Sequence, residues 1–422
     1  MNNTFFTLRS RNHLRLLCFV IIVFVSACDS DNMKDYRREL IPLSETEVII
    51  TNGNLSVTMK KTGVLESVRY VADPLEPNVG ISIASSLGLW VAGMQNGTVR
   101  SNIMALVANA IDNFQLQQPD LENHGLYFVT KDGFEDEFEN WTSIISAPTY
   151  PDGRPKMMGD VMAWGTFAPF SKSSNLEYSF SDLLVGVTAY MFNDVELKST
   201  LFVRYEIFNQ SQDIIENLHL GFGGDVDLGL FEPTAIVCGR VNASSNLTGY
   251  DRERNVSYTY IKPDLIDGEL PGTCYGALTG YSIMGFNSGN GTQASALAHR
   301  VLTKEAMEPF GAFSTTGILV PYHVLHALQG LSPEGAPMID PSTGEVTSFA
   351  YTGNPLTETG WVDTRKDVRS LLSISPITLA PGEKVITTVA IFTAVSPSFE
   401  QGYADLSTLF DRIMSQRNKW DN

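Results

Sequence analysis

The stretch from Leu201 to Phe222 limits the fold more than any other part of the chain. In Leu201-Phe-Val-Arg-Tyr-Glu-Ile-Phe208, the side chains of Phe202, Arg204, Glu206 and Phe208 fall on one side of an extended backbone. Val203, Tyr205 and Ile207 fall on the other. A period of two is the signature of a strand with at least one core-facing side, and it is incompatible with a helix. Asn209-Gln-Ser-Gln212 supplies turn residues, and Ile215 to Phe222 is expected to return as the partner strand. The same design recurs near the end of the chain. Leu371 to Leu379, Ala380-Pro-Gly-Glu383 and Val385 to Val395 predict a second long hairpin-like unit.

Short strands dominate elsewhere. Glu47 to Thr51, Asn52-Gly53-Asn54 and Leu55 to Met59 spell strand, turn, strand, and Val64 to Tyr70 continues the meander. Further strands are predicted at Leu89 to Met94, Gly97 to Arg100, Leu126 to Thr130, Val161 to Phe167, and Leu184 to Phe192. Helix is predicted only over 321–329 and 403–417. In the second of these, Leu406, Leu409, Phe410 and Ile413 form an apolar stripe suited to docking on a β body. No internal period of 20–50 residues is apparent. The expected architecture is all-β: a large β-sandwich, or a supersandwich-like variant of it, with a C-terminal capping helix. It occupies residues 45–422 as one large domain or two closely packed sandwiches, and 131–160 and 240–275 are insertions between strands.

Charge narrows the range of partners. With 29 Lys and Arg against 47 Asp and Glu, the formal net charge is −18, and no basic run occurs in the body of the chain. Binding to a nucleic-acid backbone or to an anionic membrane surface is therefore not expected. The first thirty residues give an address instead. Arg9, Arg11 and Arg15 precede the apolar run Leu16 to Val25, and Ser26 and Ala27 precede Cys28. This is the layout of a secretory signal over residues 1–27. Val25-Ser26-Ala27-Cys28 resembles the bacterial lipobox, whose cysteine becomes acylated and joins the protein to a lipid bilayer. The alternatives are an ordinary signal peptide with an incidental cysteine and an uncleaved anchor.

Removing residues 1–27 discards three arginines and no acid, so the mature chain is more acidic still. Residues 28–44 then read as a polar, lipid-anchored tether. The expected location is the bacterial cell envelope, with the outer membrane or cell surface favoured over the inner membrane. Cys238 and Cys274 are either a disulfide, which an oxidising compartment permits, or two unrelated buried thiols.

The usual catalytic signatures are missing: no Gly-x-Ser-x-Gly, His-Glu-x-x-His or phosphate-binding glycine loop occurs. His323 and His326 lie three apart on a predicted helix, which is compatible with a shared metal, although one surface and one packed ring is the favoured reading. Gly223-Gly-Asp-Val-Asp-Leu-Gly229 is the most chemical-looking segment. Asp225 and Asp227 point to one side if extended, and the glycines free backbone carbonyls, a donor set that Ca²⁺ accepts. The competing interpretation is a strand exit in which both carboxylates cap local backbone N–H groups. The acidic run Asp132 to Glu139 reads as a solvated loop. Asp160, Asp225, Asp227, Asp363 and Asp367 are the pool from which a glycosidase pair would have to come. Trp90, Trp164 and Trp361 are candidates for stacking on a sugar ring, as is Trp141, each with core packing as the alternative.

The order of segments also carries a resemblance. Gly88-Leu-Trp-Val-Ala-Gly-Met-Gln-Asn-Gly97, Gly159-Asp-Val-Met-Ala-Trp164, Phe202-Val-Arg-Tyr-Glu-Ile-Phe-Asn209 and Gly224-Asp-Val-Asp-Leu-Gly229 come first. Tyr351-Thr-Gly-Asn-Pro355, Thr359-Gly-Trp361, Asp367-Val-Arg369 and Ser373 to Glu383 follow. As a set, over about residues 45–400, they resemble a group of large secreted or lipoprotein β-rich proteins common in Bacteroidetes and related bacteria. The resemblance implies no activity. In many members further acidic residues and a Gly-Cys-Asp follow the Asp-x-Asp-Leu-Gly segment, whereas this chain has Ile236-Val-Cys-Gly-Arg240. The segment Phe202 to Phe222 is also similar in style to sugar-binding supersandwich folds of the galactose-mutarotase type. The function these observations imply is that of a non-enzymatic envelope lipoprotein presenting a β-sandwich to a glycan or to an envelope protein. The alternative is a carbohydrate-active enzyme on a supersandwich, using paired carboxylates.

Overall fold

The computed structural model describes residues 43, 47–60, 63–71, 80–103, 125–134, 141, 146–167, 179–180, 182–229, 246–262, 276–288, 295–303, 321–364 and 368–421. Strands are numbered in chain order, and every pairing among them is antiparallel. One sheet runs β1 (Glu47–Asn52), β2 (Leu55–Lys60), β3 (Leu65–Val71), β4 (Gly80–Gln95), β10 (Ile215–Asp225), β17 (Val368–Ile374), β14 (Ala296–Thr303). In the same sheet β5 (Thr98–Ile103) pairs with β4, and β18 (Ile377–Leu379) pairs with β10. The other sheet runs β11 (Asn246–Asp251), β12 (Val256–Ile261), β13 (Gly276–Ser288), β19 (Lys384–Ser396), β9 (Thr200–Asn209), β8 (Leu183–Met191), β7 (Val161–Phe167), β6 (Leu126–Thr130). A small ribbon, β15 (Met338–Ile339) with β16 (Val346–Thr347), stands apart. The helices among the described residues are α1 (Pro321–Leu328), α2 (Phe399–Ser415) and α3 (Arg417–Trp420). Among the described residues, no helix is long and apolar enough to cross a membrane.

The two sheets bury one core between them. Val203, Tyr205 and Ile207 of β9 meet Leu218, Leu220 and Phe222 of β10 and Val389 and Ile391 of β19 there, as the alternation in the sequence requires. The residues in between point outward but are not simply solvated. On the β9 side, Phe202 joins Trp164, Tyr190, Phe392 and the stripe Leu406, Leu409, Phe410 and Ile413 of α2 in a second cluster. On the β10 side, Trp90 and Leu371 pack under α1 with Val324 and Leu328. Each sheet is therefore partly capped on its outer face by a helix, and the all-β sandwich with a C-terminal capping helix is the observed architecture.

Two expected hairpins turn out to be arches. β9 and β10 are not partners: β9 lies between β8 and β19, whereas β10 pairs with β4, β17 and β18 in the other sheet. The second unit behaves the same way, with β18 in one sheet and β19 in the other. The two arches lie against each other. Asn209 N–H donates to Glu383 O at 3.0 Å, and Gly382 N–H donates to Asn209 O at 2.8 Å. The Asn209 side-chain amide bridges Leu379 O and Asp213 O at 3.0 and 2.8 Å. Period two marks the faces of a strand and is silent about its sheet. Here the side chain of Asn209 satisfies backbone carbonyls that a hairpin ladder would otherwise satisfy.

The range 240–275, expected as an insertion, contributes the β11–β12 hairpin to the second sheet. The C-terminal helix begins at Phe399, ahead of the predicted 403, because Ser398 Oγ accepts from Gln401 N–H at its start. Gly402 sits where a Cβ would lie 2.4 Å from Gly276 O, so the absent side chain lets the helix close onto β13.

Candidate functional site

The most developed concavity described lies on the outer face of the second sheet. Its volume of about 830 Å³ falls within the roughly 300–1,000 Å³ usual for small-ligand sites. The floor follows from register. Arg204, Glu206 and Phe208 alternate along β9, and directly opposite them on β19 stand Thr388, Ile386 and Lys384. One wall is the segment 146–158. Thr149 and Pro155 form an isolated antiparallel bridge, and Gly153 takes φ +86 at its tip. The indole N–H of buried Trp141 donates to Pro148 O at 2.7 Å and pins the segment at its base. This wall fits against β8 because position 186 is glycine: a Cβ there would lie 2.2 Å from Ser146 Oγ. Trp420 and Asp421 complete the lining. Trp420 is held by stacking on Phe202 at 5.6 Å and by the hydrogen bond from Tyr190 Oη to its carbonyl, 2.7 Å.

The electrostatics are unusual for so acidic a chain. Glu206 is engaged on both oxygens: Arg204 Nη2 lies 2.7 Å from Oε1 and Lys384 Nζ 3.1 Å from Oε2. Nη1 of Arg204 has only the thioether of Met158, at 3.8 Å. The ammonium of Lys156 lies 5.8 Å from the centre of the Tyr150 ring. Burial, reinforced by the like charge of Arg204 and partly offset by Asp421, pulls its pKa below the ordinary lysine value. Tyr150 is 42% exposed, and Arg154 Cζ lies 5.4 Å from its ring centre. A half-exposed aromatic ring with cations over it, beside the polar and charged side chains of the floor, combines apolar contact with hydrogen-bond donors and acceptors.

The residues expected from the sequence do not assemble here. Asp225 ends β10, and its Oδ2 lies 2.7 Å from Arg369 Nη2 of neighbouring β17, with the two side chains only 7% and 8% exposed. Asp227 Oδ2 accepts from Ser85 Oγ at 2.8 Å. Among the described residues, no three His, Cys, Asp or Glu side chains form a group that could hold a metal ion. Asp225 is thus one half of an internal ion pair, and a cation there would have to displace a guanidinium. Asp160 accepts from Lys131 Nζ and Asn193 N–H, and Asp363 from the backbone N–H groups of Thr248 and Thr364. Both carboxylates are engaged by donors of the fold, Asp160 across to Lys131 and Asn193 and Asp363 across to Thr248. His326 Nδ1 lies 2.7 Å from Pro333 O.

The stacking expectation is corrected for Trp90 and Trp164. They are 1% and 0% exposed, packed under α1 and in the cluster beneath α2, so no ring face is open. Trp141, also fully buried, shapes the groove without presenting its ring. Trp361 is half-buried and meets Tyr351 edge-on at 5.4 Å. Cys28, Cys238, Cys274 and Asp367 lie outside the described residues. Of the groove lining, the sequence points only to Trp141 as a candidate ligand contact, and Arg204, Glu206 and Phe208 stand out there only as one face of a strand. The signal available was the pair Arg204 and Glu206, two opposite charges flanked on the same strand face by Phe202 and Phe208.

No protein-family model matches the chain. No curated protein sequence matches it either. Solved structures do. A putative aldose 1-epimerase from Escherichia coli aligns at 11% identity and TM-score 0.31, covering 83% of this chain and 99% of the other. A protein from Synechocystis sp. PCC 6803 aligns at 7% identity and TM-score 0.32, covering 86% and 100%. At this distance the likeness transfers no site residue to this chain.

Proposed function

We propose that this chain is a non-enzymatic, glycan-binding β-sandwich lipoprotein of a bacterial cell envelope, and that the groove over β9 and β19 is its binding site. The observation that carries the reading is Tyr150. It is a partly exposed ring on a pinned wall, with the cations of Arg154 and Lys156 over it, and it lines the same concavity as Arg204, Glu206, Lys384 and Thr388. Sugar rings are bound by this combination of one aromatic face and several fixed donors and acceptors. Against an enzyme stands the state of the carboxylates. Glu206 already serves two cations, and Asp421 accepts from Arg417 Nε at 2.7 Å, so neither is placed to trade a proton with a glycosidic oxygen.

The anchor is Cys28, with its preceding small residues and basic n-region, which supports an envelope location at the outer membrane or cell surface. Labelling of the expressed chain by a palmitate analogue, lost in Cys28→Ala, tests the anchor. An array of neutral and acidic oligosaccharides probed with the full chain tests the groove. Binding abolished by Tyr150→Ala is expected. Binding unaffected by that substitution would refute the site, and turnover of a bound oligosaccharide, lost in Glu206→Gln, would refute the non-enzymatic reading.

A further inference from the structure

Lys156 has no carboxylate within ion-pair reach among the described residues, yet its side chain is half-buried in the groove and lies within the field of Arg204. Among the described residues, Arg204 has Glu206 as its one anionic partner, and Glu206 is shared with Lys384. Among the described residues, the buried Arg204 Nε has no hydrogen-bond partner and Nη1 faces a sulfur. Three cations therefore meet one carboxylate on the floor and wall. The second lining carboxylate, Asp421, offsets Lys156 only in part and is itself engaged by Arg417. A protein with 47 acidic and 29 basic residues has many carboxylates with which to neutralise a cation, so two under-compensated ones in a concavity stand out. Leaving cations desolvated and unmatched costs free energy, and an anionic ligand would recover it.

We infer that the groove selects an anionic glycan and seats a carboxylate or sulfate substituent between Lys156 and Arg204, with the sugar ring against Tyr150. The inference rests on the proposed glycan-binding function. The positions suit the chemistry. Nη1 of Arg204, facing a thioether, and the mobile ammonium of Lys156 supply the donors, and the partly exposed Tyr150 ring under that ammonium gives the sugar an apolar contact next to its charged group. With a formal net charge of −18, the chain as a whole disfavours a polyanion. The groove would then fix the register of such a ligand as well as its affinity.

The test uses the full chain and matched ligands: oligogalacturonides against their methyl esters, sulfated against desulfated chondroitin oligosaccharides, and inorganic sulfate alone, each titrated by calorimetry. The expected result is binding of at least one acidic member about tenfold or more tighter than its neutral counterpart, weakened by salt. Lys156→Met should abolish this preference without lowering the melting temperature, and Lys156→Arg should keep it. Equal affinity for acidic and neutral members, or a preference that survives in Lys156→Met, would overturn the inference while leaving glycan binding intact. Saturable sulfate binding that depends on Lys156, with no oligosaccharide bound, would support the anion site and overturn the glycan reading. Binding of neither sulfate nor any acidic oligosaccharide overturns the inference.

Discussion

Replacing Asp225 by Asn separates an internal ion pair from a cation site. In the folded chain, Asp225 Oδ2 stands 2.7 Å from Arg369 Nη2, and both side chains are less than a tenth exposed. Removing one partner of such a pair strands the other charge in a poorly hydrated place, which costs roughly 3–5 kcal/mol. Asparagine keeps one acceptor oxygen for the guanidinium, so the lower end applies, about 3 kcal/mol. For a folded unit of about 380 residues, the unfolding entropy near the midpoint is roughly 0.8 kcal/mol per kelvin, and the melting temperature should fall by about 4 °C. Arg369→Met should cost a similar amount. The double variant Asp225→Asn, Arg369→Met should lose less than the two single losses added together, because no unmatched charge remains. The assay is calorimetric melting at neutral pH, in EDTA and in millimolar calcium. The ion-pair account predicts the same melting temperature in both buffers for every variant. A calcium-dependent rise in the parent chain that disappears in Asp225→Asn would refute it and restore the sequence-based expectation of a Ca²⁺ site.

Three further outcomes follow from the same geometry. Gly186→Val places side-chain atoms where Ser146 now packs, the Cβ alone lying 2.2 Å from Ser146 Oγ. It should cost about 1–3 kcal/mol and lower oligosaccharide affinity by moving the groove wall, as read by denaturant melts and titration of the same variant. Deleting residues 420–422 removes a tryptophan that is 1% exposed and stacked on Phe202. A loss of about 3–5 kcal/mol and an altered near-ultraviolet circular dichroism spectrum are expected. His299 lies fully buried, its Nδ1 2.9 Å from Ala350 O and its Nε2 2.9 Å from Ser257 Oγ. A carbonyl can only accept, so Nδ1 carries a proton. Burial pushes its pKa down to about 4 from 6.5. The stability this ring contributes is therefore complete above pH 6.5 and lost as pH falls towards 4, because the unfolded chain takes up a proton that the folded chain refuses. Between pH 7 and 5 the loss from this ring is about 2 kcal/mol. Urea melts of His299→Gln should show a shallower pH slope by that amount, and an unchanged slope would discount the buried neutral ring.

The strands were legible because local physics writes them locally. Asn52-Gly53-Asn54 falls between β1 and β2, the alternation of β9 sorts Val203, Tyr205 and Ile207 into the inter-sheet core, and the apolar stripe of α2 docks where an amphipathic helix must. Sheet membership is another matter. The residues 209–214 and 380–383 carry the ordinary vocabulary of turns, and nothing in Asn, Ser, Pro or Gly distinguishes a turn within a sheet from an arch between sheets. The decision is made by Asn209. Its backbone bonds to Gly382 and Glu383, 170 or more positions away in sequence, and its side chain bonds Leu379 O. That information is absent from any short window.

The same arches explain why the groove could not be found by reading along the chain. Had β9 and β10 formed a hairpin, Arg204 and Glu206 would stand beside the β10 residues, which are largely buried and apolar. An ion pair there would have no route to solvent. Crossing to the other sheet instead releases the edge of β9 to β19, and the second arch delivers β19 to it with Lys384 at the register position opposite Phe208. The lysine stacks on that ring at 5.2 Å and reaches Glu206 from above. The charged floor is thus a product of two paired crossovers. A substitution that loosened them, Asn209→Ala for instance, would separate Arg204 and Glu206 from Lys384 without touching any of the three. If that substitution left ligand affinity and the β9–β19 pairing intact, the arches would be ordinary corners and the groove would owe nothing to them.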